Sequence, residues 1–279
     1  MSHRSNRWLA GGLAALAAGL AVNSLLGPLV AGVITSPLTE TVMKMTLGLE
    51  AVSLLVVAPM SALAAVLVFK GNRTGLIAAI PPAAYTAYMF VQYIIGPEYV
   101  EYPPVILFHL GMFILSSSVL VYSWTHLQIE DIPPIPPQRK RIYSAVLLLL
   151  VLFVSFSYLF AVPRILTGGT IPEEYVDDPS VYWSVFLLDL GIVVPITVAV
   201  SVGLLRGAGW ARKATYGLVG WYALVTTAVL ALFVSLLAHS DPNTTVGIVI
   251  GVFIATLLII AFTVWLYRSL FRRRSLRYR

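Results

Sequence analysis

Eight apolar runs, each long enough to cross a bilayer and joined only by short connections, restrict this chain more than any motif in it. They fall at roughly 8–34, 47–69, 74–95, 104–126, 142–163, 182–205, 211–238 and 245–267, and a helix needs about 20 apolar residues to traverse a hydrocarbon core. With 59% hydrophobic and 11% charged residues and a mean hydropathy of +0.89, a water-soluble core of this size has no room for the apolar side chains. The runs are continuous rather than alternating, which suits helices that satisfy their backbone internally and not the strands of a barrel. The expectation is an all-α integral membrane protein with eight transmembrane helices, multi-pass in the cell (plasma) membrane, without a separate soluble domain. Arg4 and Arg7 ahead of LAGGLAALAAGLAV also give the first run the form of a signal peptide with a cleavage site near Val22. Continuation of the run to Ile34, and the match of Pro28 with Pro163, favour a retained span.

Basic residues set the orientation. Of 18 Lys and Arg, 16 fall at the amino terminus (Arg4, Arg7), beside the second and sixth spans (Lys70, Arg73, Arg206, Arg212, Lys213), in the central linker (Arg139, Lys140, Arg141) or in the tail from Arg268 to Arg279. Only Lys44 and Arg164 fall opposite, so both termini are expected in the cytoplasm. Glu40, Glu98, Glu101, Glu173, Glu174, Asp177, Asp178 and Asp241 make the other side acidic. The net charge of +6 therefore reflects orientation and implies no nucleic acid. The expected partners are the lipid bilayer and anionic headgroups at the linker and the tail FRRRSLRYR, at about 1 kcal/mol per basic residue near the surface. Without cysteine, disulfides, thiolate metal sites and Cys nucleophiles are excluded.

The chain also repeats itself. PMSALAAVLVFKG from Pro59 is answered 136 residues later by PITVAVSVGLLRG from Pro195. The predicted units are residues 1–128 and 142–267, each of four helices, with a linker at 129–141 and a basic tail at 268–279. An even-numbered unit keeps its orientation on duplication, so the repeats should be parallel, related by an axis along the membrane normal. The linker IEDIPPIPPQRKR reads as an extended, stiff spacer. Pro59 and Pro195 should kink their helices ~16 Å from Lys70 and Arg206; Pro81 and Pro82 predict a further interruption in the third span.

Each half carries an intramembrane acid. Glu50 lies ~30 Å above Lys70 and Asp189 ~26 Å above Arg206, which places Glu50 near the interface and Asp189 about a turn deeper, where an unpartnered carboxylate is costly. Tyr85, Tyr88, Gln92 and Gly96 share one face of the third span, and His109, Met112 and Ser116 one face of the fourth. Tyr85 lies deep enough to need a hydroxyl partner, for which a carboxylate on a neighbouring helix would serve, whereas Tyr93, Tyr99 and Tyr102 read as interfacial belt residues. The substrate or proton-binding candidates are therefore Asp189, Glu50, Tyr85, Gln92 and His109. Met43, Met45, His109 and Met112 form a weaker, copper-type set, since thioether with imidazole suits Cu(I); packing methionines account for them as well. His109 and His126, at opposite ends of one span, do not suit haem. Asn243 opens a formal glycosylation sequon. Motifs of metalloproteases, serine hydrolases, P-loop proteins and dinucleotide enzymes are absent.

The blocks PMSALAAVLVFKGNRTG, YTAYMFVQYIIG and LLDLGIVVPITVAVSVGLLRG resemble a family of uncharacterised polytopic membrane proteins of bacteria and archaea. The resemblance covers about half the chain and departs from the family after Gly96, where PEYVEYP is more acidic. It implies the polytopic fold and emphasises Asp189; it supplies no substrate. The function expected is a secondary transporter or permease for a small solute, working without a cofactor. The rival readings are a non-catalytic membrane scaffold or assembly subunit, and third an intramembrane enzyme acting on lipid or quinone.

Overall fold

Hydrophobic length and proline chemistry account for most of the architecture. In the computed structural model, which describes residues 3–34, 38–97, 103–159 and 161–277, every regular element is helical. Glu98, Tyr99, Glu101 and Tyr102 lie outside the described residues. Eight helices are long and apolar enough to span a membrane: α1 (His3–Leu26), α2 (Glu40–Phe69), α3 (Thr74–Ile95), α4 (Pro103–His126), α5 (Pro137–Leu159), α6 (Pro179–Leu205), α7 (Gly209–Ala238) and α8 (Val246–Arg277). A short helix, Ala161–Leu166, follows α5. Large apolar side chains such as Leu55, Leu149, Leu152 and Leu258 stay exposed along the spans, as a hydrocarbon surround requires.

Three departures from the sequence expectation bear on the site. The first apolar run stops being helical at Leu26, because Gly27-Pro28 follows; Ala31, Gly32 and Val33 turn back onto the Leu25, Gly27 and Leu26 carbonyls. The second span starts at Glu40, seven residues before its apolar run. Glu40 and Lys44, one turn apart and 2.8 Å from each other, let that polar segment be helical. Third, α3 continues unbroken through Pro81 and Pro82. Thr86 Oγ1 donates to the Pro82 carbonyl at 2.8 Å, and Gly220 of α7 leaves space for the Pro81 ring.

Pro59 and Pro195 are accommodated by π-turns rather than by simple kinks. Proline lacks an N–H and its ring crowds the carbonyl four residues back. The ladder slips just upstream: Ala58 N–H donates to Ser53 O and Val194 N–H to Asp189 O, each across five residues. The π-turns cover Ser53–Val57 and Asp189–Val193. One turn on, Ser61 Oγ donates to Val57 O at 2.9 Å and Thr197 Oγ1 to Val193 O at 2.7 Å. The basic-Gly pairs close these helices. Gly71 (φ 69°) and Gly207 (φ 76°) take the left-handed conformation, with Asn72 N–H returning to Leu67 O and Ala208 N–H to Gly203 O at 2.9 Å each. These are Schellman caps, in which glycine avoids the Cβ penalty.

Within the chain's first half α1 packs on α2 and α4, α2 on α3, and α3 on α4. In the second, α5 packs on α6, α6 on α7 and α7 on α8, and Tyr143 of α5 meets Phe262 and Trp265 of α8 edge-on. Between the halves α7 lies against α2 and α3, and the start of α6 against α3. Gly48 permits the α2–α7 approach, since a Cβ there would collide with the Ala231 backbone carbonyl. α3 is the central helix, with 67% of its apolar window buried against 11% for α8.

The two ends of the bundle differ in charge. At the basic end, Arg73 pairs with Asp131 at 2.7 Å, Arg212 donates to Ile129 O at 2.6 Å, and Lys213 donates to Trp124 O at 2.8 Å. The segment between α4 and α5 is thus tied down, with Leu127, Ile132 and Ile135 buried, and residues from Pro137 to Arg141 form the first turns of α5. At the acidic end, Asp178 accepts hydrogen bonds from the Thr39 backbone N–H and hydroxyl. Asp241 takes bonds from Thr41 Oγ1 (3.1 Å), Lys44 Nζ (3.3 Å), Asn243 N (3.1 Å) and Asn243 Nδ2 (3.0 Å).

Burial pushes the Asp241 carboxyl up, but the bonds from Asn243, Lys44 and Thr41 outweigh it and hold the group below the usual aspartate range. A depressed folded value contributes stability that is complete above the unfolded value of about 4 and is lost as pH falls through the lower folded value. Thermal unfolding in detergent should therefore show an acid-induced destabilisation below about pH 4 that is smaller in Asp241→Asn. Parallel pH profiles for the two proteins would refute this assignment.

Candidate functional site

Asp189 is the first residue of the π-turn in α6. Its Oδ1 accepts from Tyr88 OH of α3 and its Oδ2 from Tyr158 OH of α5, both at 2.7 Å. One carboxylate thereby joins the two halves of the chain. It is only half-buried, and the surface it keeps faces a cavity of about 480 Å³ bounded by α2, α3, α5, α6, α7 and α8. That volume lies within the usual range for ligand pockets, about 300–1,000 Å³. Tyr85, Tyr88, Gln92, Trp221 and Tyr222 line the same space. Tyr222 OH is held by Thr197 Oγ1 at 2.8 Å, and Tyr175 OH, from the connection before α6, donates to Met45 Sδ at 3.6 Å. The Gln92 side-chain amide lines the cavity with no hydrogen bond to the protein among the described residues.

Glu50 has a different environment. It is 2% exposed and does not line the cavity. Side chains of α1 and α3 close over it, ten helical residues into α2. Oε1 accepts from Asn23 Nδ2 (2.8 Å) and Tyr93 OH (2.6 Å), and Oε2 accepts from Ser24 Oγ. Asn23 Oδ1 in turn accepts from His109 Nε2 at 3.1 Å, in the tautomer that this pairing requires. The His109 ring packs edge-on against Phe90. Helices α1 to α4 thus each contribute to a sealed polar cluster inside the first half.

The sequence candidates consequently separate into two groups. Asp189, Tyr85 and Gln92 share the cavity, while Glu50 and His109 belong to the sealed cluster. Tyr85 is within 3.5 Å of Ser53 Oγ and not of a carboxylate. Tyr93, read as a belt residue, is a ligand of Glu50. The methionines also part: Met45 lines the cavity, whereas Met112 packs over Gly19 of α1 beside the sealed cluster. Met43 is half-buried near the start of α2. No group of three or more His, Cys, Asp or Glu suited to a metal occurs among the described residues. The residues missed by sequence reasoning are Asn23, Ser24 and Tyr158. An Asn-Ser pair inside the first apolar run was a usable signal for the first two; nothing local distinguishes Tyr158.

The fold and this site define a multi-pass integral membrane protein with a carboxylate-bearing, tyrosine-lined cavity between its two halves. No protein-family model matches the chain, and no curated protein or solved structure matches it.

Proposed function

We propose that the protein is a secondary transporter or permease for a small solute, with Asp189 as its binding carboxylate and its pathway between two parallel four-helix repeats whose termini are cytoplasmic. The observation that carries this reading is the partial exposure of Asp189 to a cavity at the junction of the halves, where phenols from α3 and α5 hold its two oxygens. A carboxylate so placed binds a solute or a proton and senses the relative position of the helices around it. The repeat draws support from the two π-turns and the two Schellman caps, each pair 136 residues apart. Their numbering makes Ser53, not Glu50, the counterpart of Asp189, so the halves are unequal and the site is single. Glu50, closed within its cluster, acts as a helix bridge; that cluster is the feature favouring the scaffold reading.

The test exploits the absence of native cysteine. Val229→Cys places one thiol in the cavity wall, and membrane-impermeant thiol reagents are applied to either side of sealed proteoliposomes. A transporter exposes the thiol to one side and shifts that preference when a proton or solute gradient is imposed. A thiol that stays inaccessible from both sides under every gradient would eliminate transport in favour of the scaffold.

A further inference from the structure

The chemistry of the cavity narrows the ligand, on the premise that the cavity is the solute site proposed above. No Lys, Arg or His lines it among the described residues, so the Asp189 carboxylate has no protein cation facing it. Its two hydrogen bonds come from neutral phenols, one on each oxygen, leaving lone pairs on both. Aromatic side chains surround the acid, Tyr88, Tyr158, Trp221 and Tyr222 among them. Tyr88 and Trp221 pack edge to face at 5.4 Å. A single carboxylate among aromatic faces is the arrangement that recognises an organic cation, through charge pairing and cation–π attraction together.

Most of the remaining wall is apolar, with Gln92, Thr226, Asn243 and Thr256 as polar members, and it reaches the protein's lipid-facing side. α5 and α8 run antiparallel and touch near the basic end, where Tyr143 meets Phe262 and Trp265 at 5.6 and 5.1 Å. Further along, Leu150, Phe153 and Val154 of α5 and Val252, Ala255 and Thr256 of α8 line the cavity between them. Phe153 both lines the cavity and is 59% exposed, so the space opens laterally between these helices. A hydrophilic cation leaves most of this wall unmatched, whereas an alkyl chain fits it.

We propose that the cavity takes an amphiphilic organic cation, an amine or quaternary ammonium on an apolar body, received from the bilayer between α5 and α8 with its head at Asp189 and its chain against Phe153 and Ala255. The probe is dodecylamine carrying a chain-terminal diazirine, applied to the protein in phosphatidylcholine nanodiscs, with the carboxylic acid of the same chain as control. After photolysis the amine should label the α5 and α8 peptides containing Leu150–Val154 and Val252–Thr256. Labelling should saturate, be competed by dodecyltrimethylammonium, and weaken roughly tenfold or more in Asp189→Asn, with wild-type elution on size exclusion as the folding control. Equal labelling by the acid, or unchanged saturation in Asp189→Asn, would mean that the cavity merely holds lipid and would overturn the proposal. The two readings fail separately. Saturable amine labelling with a Val229→Cys thiol that never becomes accessible keeps the ligand class and removes transport. Gradient-dependent thiol accessibility without amine labelling keeps transport and removes the ligand class.

Discussion

Asp189→Asn should leave the protein folded and remove its solute-dependent and proton-dependent activity, by tenfold or more in uptake or in ligand-induced stabilisation. Asparagine nearly matches the shape of aspartate, its Oδ1 still accepts from one tyrosine, and the other phenol turns to accept from the new amide. Packing therefore changes little, and the midpoint of thermal unfolding should stay within about 1 kcal/mol equivalent of wild type. What vanishes is the charge, with the capacity to exchange a proton. Uptake into proteoliposomes across a pH gradient is the measurement, paired with Tyr158→Phe, which takes one hydrogen bond from Asp189 and leaves the carboxylate. Full pH-dependent activity in Asp189→Asn would displace Asp189 from the centre of the mechanism.

Glu50→Leu should have the opposite profile, a large loss of stability irrespective of ligand. Removing the carboxylate takes the acceptor from Asn23 Nδ2 and one bond each from Tyr93 OH and Ser24 Oγ, the last keeping the Glu50 backbone carbonyl at 3.3 Å. A buried donor left unpaired costs about 1–3 kcal/mol, and the two lost bonds to Ser24 and Tyr93 add to it, enough to lower the yield of folded protein in a detergent extract. Glu50→Gln keeps an acceptor and should cost less. Because the members act as one network, Asn23→Leu added to Glu50→Leu should destabilise by much less than the sum of the two single changes. Additive losses, or a Glu50→Leu protein as stable as wild type, would show that the cluster is no helix bridge.

How much of this was legible in the sequence depended on the range of the interactions involved. Spans declared themselves because hydrophobic length is a local property, and the eight runs match the eight helices. Helix ends were less legible: α2 begins in a polar segment held by the Glu40–Lys44 pair and by Thr41 and Lys44 contacts to Asp241, about 200 residues away. Prolines at 59 and 195 announced an interruption without disclosing a π-turn, since the choice between kink and slipped ladder depends on what surrounds the freed carbonyls. Helical spacing on α3 brought out Tyr85, Tyr88 and Gln92, and all three reach the cavity. Depth arithmetic did not disclose the enclosure of Glu50, because distance from Lys70 says nothing about which neighbours close over a side chain. The Tyr158–Asp189 and Tyr88–Asp189 bonds cross 31 and 101 residues, and no periodicity reports contacts of that range.

The close approach of α2 and α7 at Gly48 has a mechanical consequence. Backbones this close resist sliding, which would drive a side chain into the Ala231 carbonyl, more than they resist a small tilt about Gly48. From Gly48 there are 21 residues, or ~31 Å of helix, to Phe69, against about 13 Å back to Thr39. A tilt of only 10° about Gly48 carries the far end of α2 through about 5 Å. Leverage of this kind makes displacement largest where Arg73 grips Asp131 and less than half as large, about 2 Å, at the Thr39–Asp178 contact.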